Sequence, residues 1–428
     1  MAQHLGVQEV QGVQEVQEVQ KAQETQETQS LTSNLSTLTS KDGYDYRSIN
    51  ALLRGNTMAA FQKGERQPIG NVLLAGATGY LGIHIFKDLI DNYAGQIYCF
   101  IRAKEGEAPE DRLKKLLLYY FGDSMDSLFG SRVFIIEGDA TDAKALENFS
   151  PKVGEAFTVI NCAASVKHFA KGNEIEKINI GTVRNLVAWC IRHNVRLVHV
   201  STGSVLGAYL APDMPDGFTF DEHALYVGQS IDDNQYVHSK FMAERFIYDA
   251  ILHHGLNAKV LRAGNLAPRL SDGQFQINAA SNNFMSSLKA YRYLGMIPYE
   301  MMDSITELSP IDCVARAMLL LATTPKECVC FMPSSQYHIH LGDIVMQYGN
   351  IRMVEMAEFQ QAVSQAMTDP DAIEVMRPFM AYASNGPSNR PVGPRNLDVS
   401  HTVQVLYRLG FRWPVTDGDY VRRFLKKS

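Results

Sequence analysis

The sequence has no apolar run long enough to cross a bilayer, and its first residues are polar where a secretion signal would be hydrophobic. A membrane partner is therefore not expected, and a cytoplasmic location is. Basic residues are not in excess: the net charge is −6, which gives no general attraction to polyanions and leaves nucleic acid out as a partner. Cysteine is scarce and scattered. Of six, only Cys328-Val329-Cys330 forms a close pair, and no second cluster completes a zinc site. Most of the others sit in apolar runs, as buried free thiols do in a reducing compartment. No metal is expected.

What is present alternates. Residues 1–40 are low in complexity, with Gln at every third position from Gln8 to Gln29. A period of three fits neither helix nor strand, so this stretch reads as a disordered or weakly helical tail. Residues 41–70, with Tyr44, Tyr46, Ile49, Leu52 and Leu53, read as a lead-in packed on a domain surface. From Asn71 strands and helices take turns. Strands are expected at Asn71–Ala75, Gln96–Ile101, Arg132–Glu137, Ala156–Cys162, Val195–Ser201 and Ala258–Arg262. Helices are expected between them at Glu110–Phe121, Asn173–His193 and Asp232–His254. That order predicts an α/β, Rossmann-like, doubly wound parallel sheet over 71–268. After it the pattern changes to Asn-, Ser- and Gly-rich loops and Met- and Tyr-bearing helices, with a loop at 384–395. Residues 269–428 therefore read as a smaller, mainly helical substrate-binding domain, some segments of which return to the first.

The chain is organised around Asn71-Val-Leu-Leu-Ala-Gly-Ala-Thr-Gly-Tyr-Leu-Gly82. A buried-strand signal runs into a glycine turn and then into a helix with Ile83, Phe86, Leu89 and Ile90 on one side. In that context Gly76 makes the tight turn, Gly79 lets the pyrophosphate approach backbone and Gly82 lets helix and strand close together. Thr78, Tyr80 and Leu81 complete the turn and the first helical positions, whose N–H groups favour phosphate. Arg102 stands where the second strand ends beside the adenosine ribose; an acid there selects NAD, whereas Arg accommodates a 2′-phosphate. Arg112, ten residues on, is placed to reach the same group. NADPH is the expected cofactor. Asp139 and Ala140 end the third strand near the adenine, and Ala163 and Ala164, past the fourth, let the cofactor lie against backbone.

The expected catalytic set is Thr202, Tyr236 and Lys240. Tyr236 and Lys240 are four apart, hence one turn apart on one helix face. An ammonium beside a phenol lowers the phenol pKa and eases proton exchange, and the Lys can also hold the nicotinamide ribose. Thr202, at the end of the fifth strand before Val205-Leu206-Gly207, would donate to a substrate carbonyl; Ser201 and Ser204 are the alternatives. Lys167 and His168 are placed near the entrance and outside this set.

Taken together these motifs resemble a known group. The Gly-x-x-Gly-x-x-Gly spacing is that of the extended short-chain dehydrogenase/reductase superfamily. Leu74 to Gly82, Phe100-Ile101-Arg102 with Arg112, Gly138-Asp139, Asn161-Cys162-Ala163-Ala164, Val200-Ser201-Thr202, Tyr236 with Lys240, Leu261-Arg262-Ala263-Gly264-Asn265, Leu308 to Asp312 and Leu406 to Trp413 are similar to the thioester reductase domains of nonribosomal peptide synthetases and carboxylic acid reductases. The resemblance implies NADPH-dependent release of an acyl or peptidyl chain from the phosphopantetheine arm of a carrier protein as an aldehyde, or further to an alcohol. One departure from the family pattern is that no carrier motif is visible; action on a separate carrier protein in trans is expected, with a free thioester substrate or a detached remnant as the alternatives. Two rival readings are an epimerase, dehydratase or ketone/aldehyde reductase of the same superfamily acting on a small molecule, and a non-catalytic NADPH-binding sensor.

Overall fold

A computed structural model describes residues 43–427 except 153, 166–173, 207–218, 233, 279–281, 370–371, 374 and 377–396. The Gln-rich tail, Lys167, His168, Gly207 and the 384–395 loop lie outside the described residues.

Seven parallel strands form the main sheet: β1 Asn71–Ala75, β2 Ile97–Ile101, β3 Val133–Glu137, β4 Phe157–Asn161, β5 Arg196–Thr202, β6 Ala258–Ala263 and β7 Cys330–Phe331. Their order is β7-β6-β5-β4-β1-β2-β3. Each strand alternates its side chains between two cores. In β1, Val72 and Leu74 enter one core, while Leu73 and Ala75 enter the other. Both faces are buried, which is why these strands read as unbroken apolar runs. Helix α3 Tyr80–Asn92 covers the first face, as does α8 Ile311–Ala322, which packs directly on it. On the second face lie α5 Thr182–His193 and the 20-residue α6 Gln235–His254. Helix α4 Pro109–Phe121 follows β2. The chain order reverses between β1 and β4, which opens a crevice at their carboxyl ends, the place where such sheets bind ligands.

Two features depart from the sequence reading. The lead-in, helices α1 Arg47–Arg54 and α2 Met58–Lys63, does not merely rest on a surface: Tyr46, Ile49 and Leu53 are part of the second core. Strand β7 was not legible, because two residues carry no periodicity; it holds Cys330 of the close cysteine pair as a buried free thiol.

A third core gathers residues from Ala267 to Leu425, among them Leu288 and Tyr291 of α7 Asn283–Leu294, Phe359 and Val363 of α9 Met356–Ala366, and Tyr420 and Phe424 of α11 Gly418–Leu425. In contrast, Val405 and Leu406 of α10 Ser400–Arg408, together with Trp413, pack into the first sheet core. One buried ion pair ties the sheet to α6, and the same guanidinium reaches the loop before it. The Arg262 guanidinium donates to Glu244 at 2.9 Å and to the Ala224 carbonyl at 3.0 Å, with both charged side chains fully buried. Removing either partner would leave an uncompensated charge in the core.

Candidate active site

Gly76 has φ +86°, and a Cβ there would stand 2.6 Å from the Ala163 nitrogen. Only glycine fits between the ends of β1 and β4. A Cβ on Gly82 would stand 2.0 Å from the Gly76 carbonyl oxygen, so this glycine sets how closely α3 approaches the turn. Gly79 is different: it is exposed, and the nearest atom to a Cβ would be the Gly76 oxygen at 3.3 Å. It occupies the N-cap of α3 with no side-chain cap, so the first N–H groups of that helix face the crevice. Thr78 lies in the turn beside it. The side chains of Tyr80 and Leu81 point elsewhere. Leu81 is in the first core, and the Tyr80 hydroxyl donates to the Ala267 carbonyl at 3.1 Å. Only their backbone is available to a pyrophosphate.

Arg102 and Arg112 converge at the end of β2. An Arg112 Nη donates to the Arg102 carbonyl at 3.0 Å, while its Nε is buried without a partner. The Arg102 side chain is 68% exposed and lies 3.7 Å from Asp139. Burial works against ionising Asp139, but the Thr141 N–H and hydroxyl, with Arg102, bring its carboxyl below the usual range. The Ala140 carbonyl accepts from Asn185 at 3.0 Å. Ala163, partly buried, donates its N–H to Asn161 at 3.1 Å, and Ala164 follows it along the crevice. A glycine cradle, an open helix N-terminus and two guanidinium groups suit a phosphate-bearing dinucleotide.

The three expected catalytic residues come together beside this cradle. The Tyr236 phenol hydrogen-bonds with the Thr202 hydroxyl, and Thr202 Oγ1 accepts the Ser204 N–H at 3.1 Å. Asn234 caps α6 by accepting from the N–H groups of Tyr236 and Val237, which fixes where the phenol begins. The Lys240 ammonium is buried and donates to the Val200 carbonyl of β5 at 2.7 Å. Its pKa is lowered by burial to about 8. One expectation fails: the phenol pKa is not lowered. Burial around the oxygen pushes Tyr236 up to about 12 and outweighs the bond from Thr202, so the phenol holds its proton. Of the alternatives, Ser201 faces inward with its buried Oγ unpartnered. Ser204 contributes its backbone to Thr202.

Sequence reasoning missed two supporting residues. Asn179 sits in a π-helical turn, Lys177–Gly181, ahead of α5. Its side chain accepts the Ser165 N–H at 2.7 Å and donates to Ser239 Oγ at 2.9 Å, joining the end of β4 to the catalytic helix. Such turns recur at functional sites, but hydropathy does not distinguish them from α-helix. His199 Nδ1 lies 3.1 Å from the Asn161 amide nitrogen. Burial, and then the nearby Lys240 charge, hold this imidazole well below its ordinary pKa, so it is neutral. A surface depression of about 300 Å³ lies elsewhere, along α4 between Glu107 and Ser124, away from the Thr202–Tyr236 pair.

Comparison with known proteins identifies the family and agrees with the fold. The family model described as Male sterility protein, an NAD-binding family, matches residues 74–318. A solved thiolation-reductase di-domain from an archaeal non-ribosomal peptide synthetase is 35% identical, with a TM-score of 0.80 covering 90% of this chain and 80% of that one. The non-canonical nonribosomal peptide synthetase FrzA of Cladobotryum sp is 23% identical over 84% of this chain. Glycine betaine reductase ATRR of Emericella nidulans is 25% identical over 59%. The chain spans only 36% and 20% of the length of these two relatives. The chain belongs to this family, among the reductase domains of the extended short-chain dehydrogenase/reductase superfamily. Its cofactor class is a nicotinamide dinucleotide. Among the described residues, no helix is long and apolar enough to cross a membrane.

Proposed function

We propose that the protein is an NADPH-dependent thioester reductase. Its substrate is an acyl or peptidyl chain on the phosphopantetheine arm of a carrier protein presented in trans, and its product is the aldehyde. The observation that carries this reading is the hydroxyl pair Thr202–Tyr236 at the end of β5, with Lys240 behind it and the glycine cradle alongside. The archaeal di-domain, whose reductase is joined to a thiolation domain, supports the carrier-protein assignment.

The bound cofactor supplies hydride. The chain's own residues do the rest. Gly79 and the start of α3 take the pyrophosphate, and Arg102 with Arg112 take the adenosine 2′-phosphate. Thr202 and Tyr236 donate to the thioester oxygen and stabilise the charge that grows on it. Because Tyr236 keeps its proton at neutral pH, it acts as an acid toward that oxygen. Lys240 holds the nicotinamide ribose and supplies positive charge beneath the phenol. The hemithioacetal then collapses to aldehyde and carrier thiol. The segments of residues 269–428 that gather on the third core form the substrate-binding part, while α8, β7 and α10 return to the sheet.

The test is to mix the protein with NADPH and an acyl-loaded carrier protein, follow the nicotinamide absorbance and trap the aldehyde. Oxidation of NADPH with aldehyde formation, slower with NADH, is expected. No consumption with any loaded carrier or pantetheine thioester would overturn the reading.

A further inference from the structure

The lead-in helices reach the active site through a short chain of buried hydrogen bonds. Asn50, on α1, is 1% exposed. Its Oδ1 accepts the Leu225 N–H at 2.9 Å, and its Nδ2 donates to the Tyr226 carbonyl at 2.7 Å. These bonds fix a loop 175 residues away in sequence. Inside that loop Gln229, 2% exposed, accepts the Val227 N–H at 2.7 Å and donates to the Leu225 carbonyl at 2.8 Å. It also donates to the Val205 carbonyl at 3.3 Å. Val205 belongs to the turn Gly203–Leu206 that follows Thr202, where the Ser204 N–H fixes the Thr202 hydroxyl. A second route runs through aromatic rings: Tyr46 lies 4.8 Å from Tyr226 and 5.6 Å from Phe241, the residue after Lys240 on α6. The lead-in thus braces the turn that holds Thr202 and the helix that holds Tyr236 and Lys240.

We infer that Asn50 and Gln229 are positioning residues for the Thr202–Tyr236 pair, and that the lead-in is an integral part of the catalytic apparatus. The inference rests on the thioester-reductase reading for its kinetic readout and not for its structural one. Without Asn50 the Leu225 N–H and the Tyr226 N–H and carbonyl lose this partner, so the loop must shift or open to water. A shift passes through Gln229 to the Thr202 turn, since its amide bonds to the Val205 and Leu225 carbonyls and not to the glycine turn after β1.

Asn50→Ala, Asn50→Asp and Gln229→Leu test this in the full chain. Asn50→Asp keeps the acceptor for Leu225 and loses the donor to Tyr226; Gln229→Leu cuts the link and leaves the lead-in intact. Two readouts are taken: steady-state kinetics with NADPH and a loaded carrier protein, and hydrogen exchange of the Ser204 and Val205 amides. A misplaced catalytic group costs about 10- to 100-fold. Asn50→Ala and Gln229→Leu are expected to lower kcat by that factor, leave the KM for NADPH within about twofold and speed exchange at both amides. Asn50→Asp should fall between them and wild type. Unchanged exchange at the turn overturns the inference, whatever the rates do. Faster exchange with unchanged kcat overturns it as well, and a lowered melting temperature alone would mark a merely structural role. If the wild-type protein turns over no thioester, the functional reading fails, and the exchange data still decide whether the brace exists.

Discussion

The two halves of the sheet's carboxyl edge are made of opposite materials. Around the turn that follows β1 the site is backbone. Gly76 adopts a positive φ, Gly79 leaves space and Gly82 closes the packing. Around β5 and α6 the site is side chain: two hydroxyl groups, a buried ammonium and, behind them, buried amides from Asn179 and Gln229. The cradle works by what its residues lack, and neighbouring positions in the chain suffice to build it. The catalytic side works by what distant segments bring together, and it needs α1, the loop before α6 and the π-helical turn to hold one geometry.

The comparison breaks first at Tyr236. If chemistry belongs to the β5 half alone, Tyr236→Phe should lower kcat by about 10²- to 10⁴-fold, the range for loss of a positioned acid. NADPH affinity, measured by fluorescence titration, should stay as in wild type. A parallel loss of affinity would mean that the two halves are not separable.

Gly76 and Gly79 sharpen the same division from the other side. Gly76→Ala puts a Cβ 2.6 Å from the Ala163 nitrogen at a φ that L-residues avoid. NADPH binding should weaken by about 5- to 150-fold and the melting temperature should fall, since such strain costs about 1–3 kcal/mol. Gly79→Ala meets nothing closer than 3.3 Å. It should keep the fold's melting temperature and lose affinity only through crowding of the pyrophosphate. Equal melting temperatures for the two variants would refute the reading of Gly76.

Arg102→Ala and Arg112→Ala act at the far end of the cradle. Each should raise the KM for NADPH by about 10-fold, the effect of removing one charge-assisted contact of about 1.5 kcal/mol. The KM for NADH should barely move. If both cofactors suffer equally, the arginines serve the fold and not the 2′-phosphate.

This division also explains what the sequence made legible. The glycine motif and the alternation of strand and helix are local patterns, and six of the seven strands were readable from them. Thr202, Tyr236 and Lys240 were proposed from their position relative to those elements, and Thr202 and Tyr236 do meet. Their environment was not found. Tyr236 was expected to titrate low because Lys240 is one turn away; burial, which depends on the whole fold, pushes it up instead. Asn50 and Gln229 carry no local signal, because their partners are long-range backbone groups. The lead-in was read as packed on a domain surface, and which core Tyr46, Ile49 and Leu53 enter was not legible, because an amphipathic helix does not say which surface it meets. Tyr80 was placed with the cofactor by its motif position, and its side chain instead reaches Ala267 beyond β6.

The smallest expected effect is a matter of pH, and its two signs are opposite. Burial lowers Lys240 from 10.5 to about 8. Below that value the ammonium is present to hold the ribose and to place positive charge under the phenol; above it the charge is lost. The pH profile of kcat/KM reports the free enzyme, so it should fall about tenfold per unit above roughly pH 8. Tyr236, titrating near 12, stays protonated across that range and adds no second break. Lys240→Arg should flatten the profile, because a guanidinium keeps its charge. For stability the sign reverses. Between about pH 8 and 10.5 the unfolded chain binds the Lys240 proton and the folded chain does not, so this residue's contribution to stability rises with pH over that window. Loss of activity with unfolding would make both curves fall together. Loss of activity through Lys240 makes the rate fall while this contribution rises, and thermal melts of wild type and Lys240→Met across the window distinguish the two.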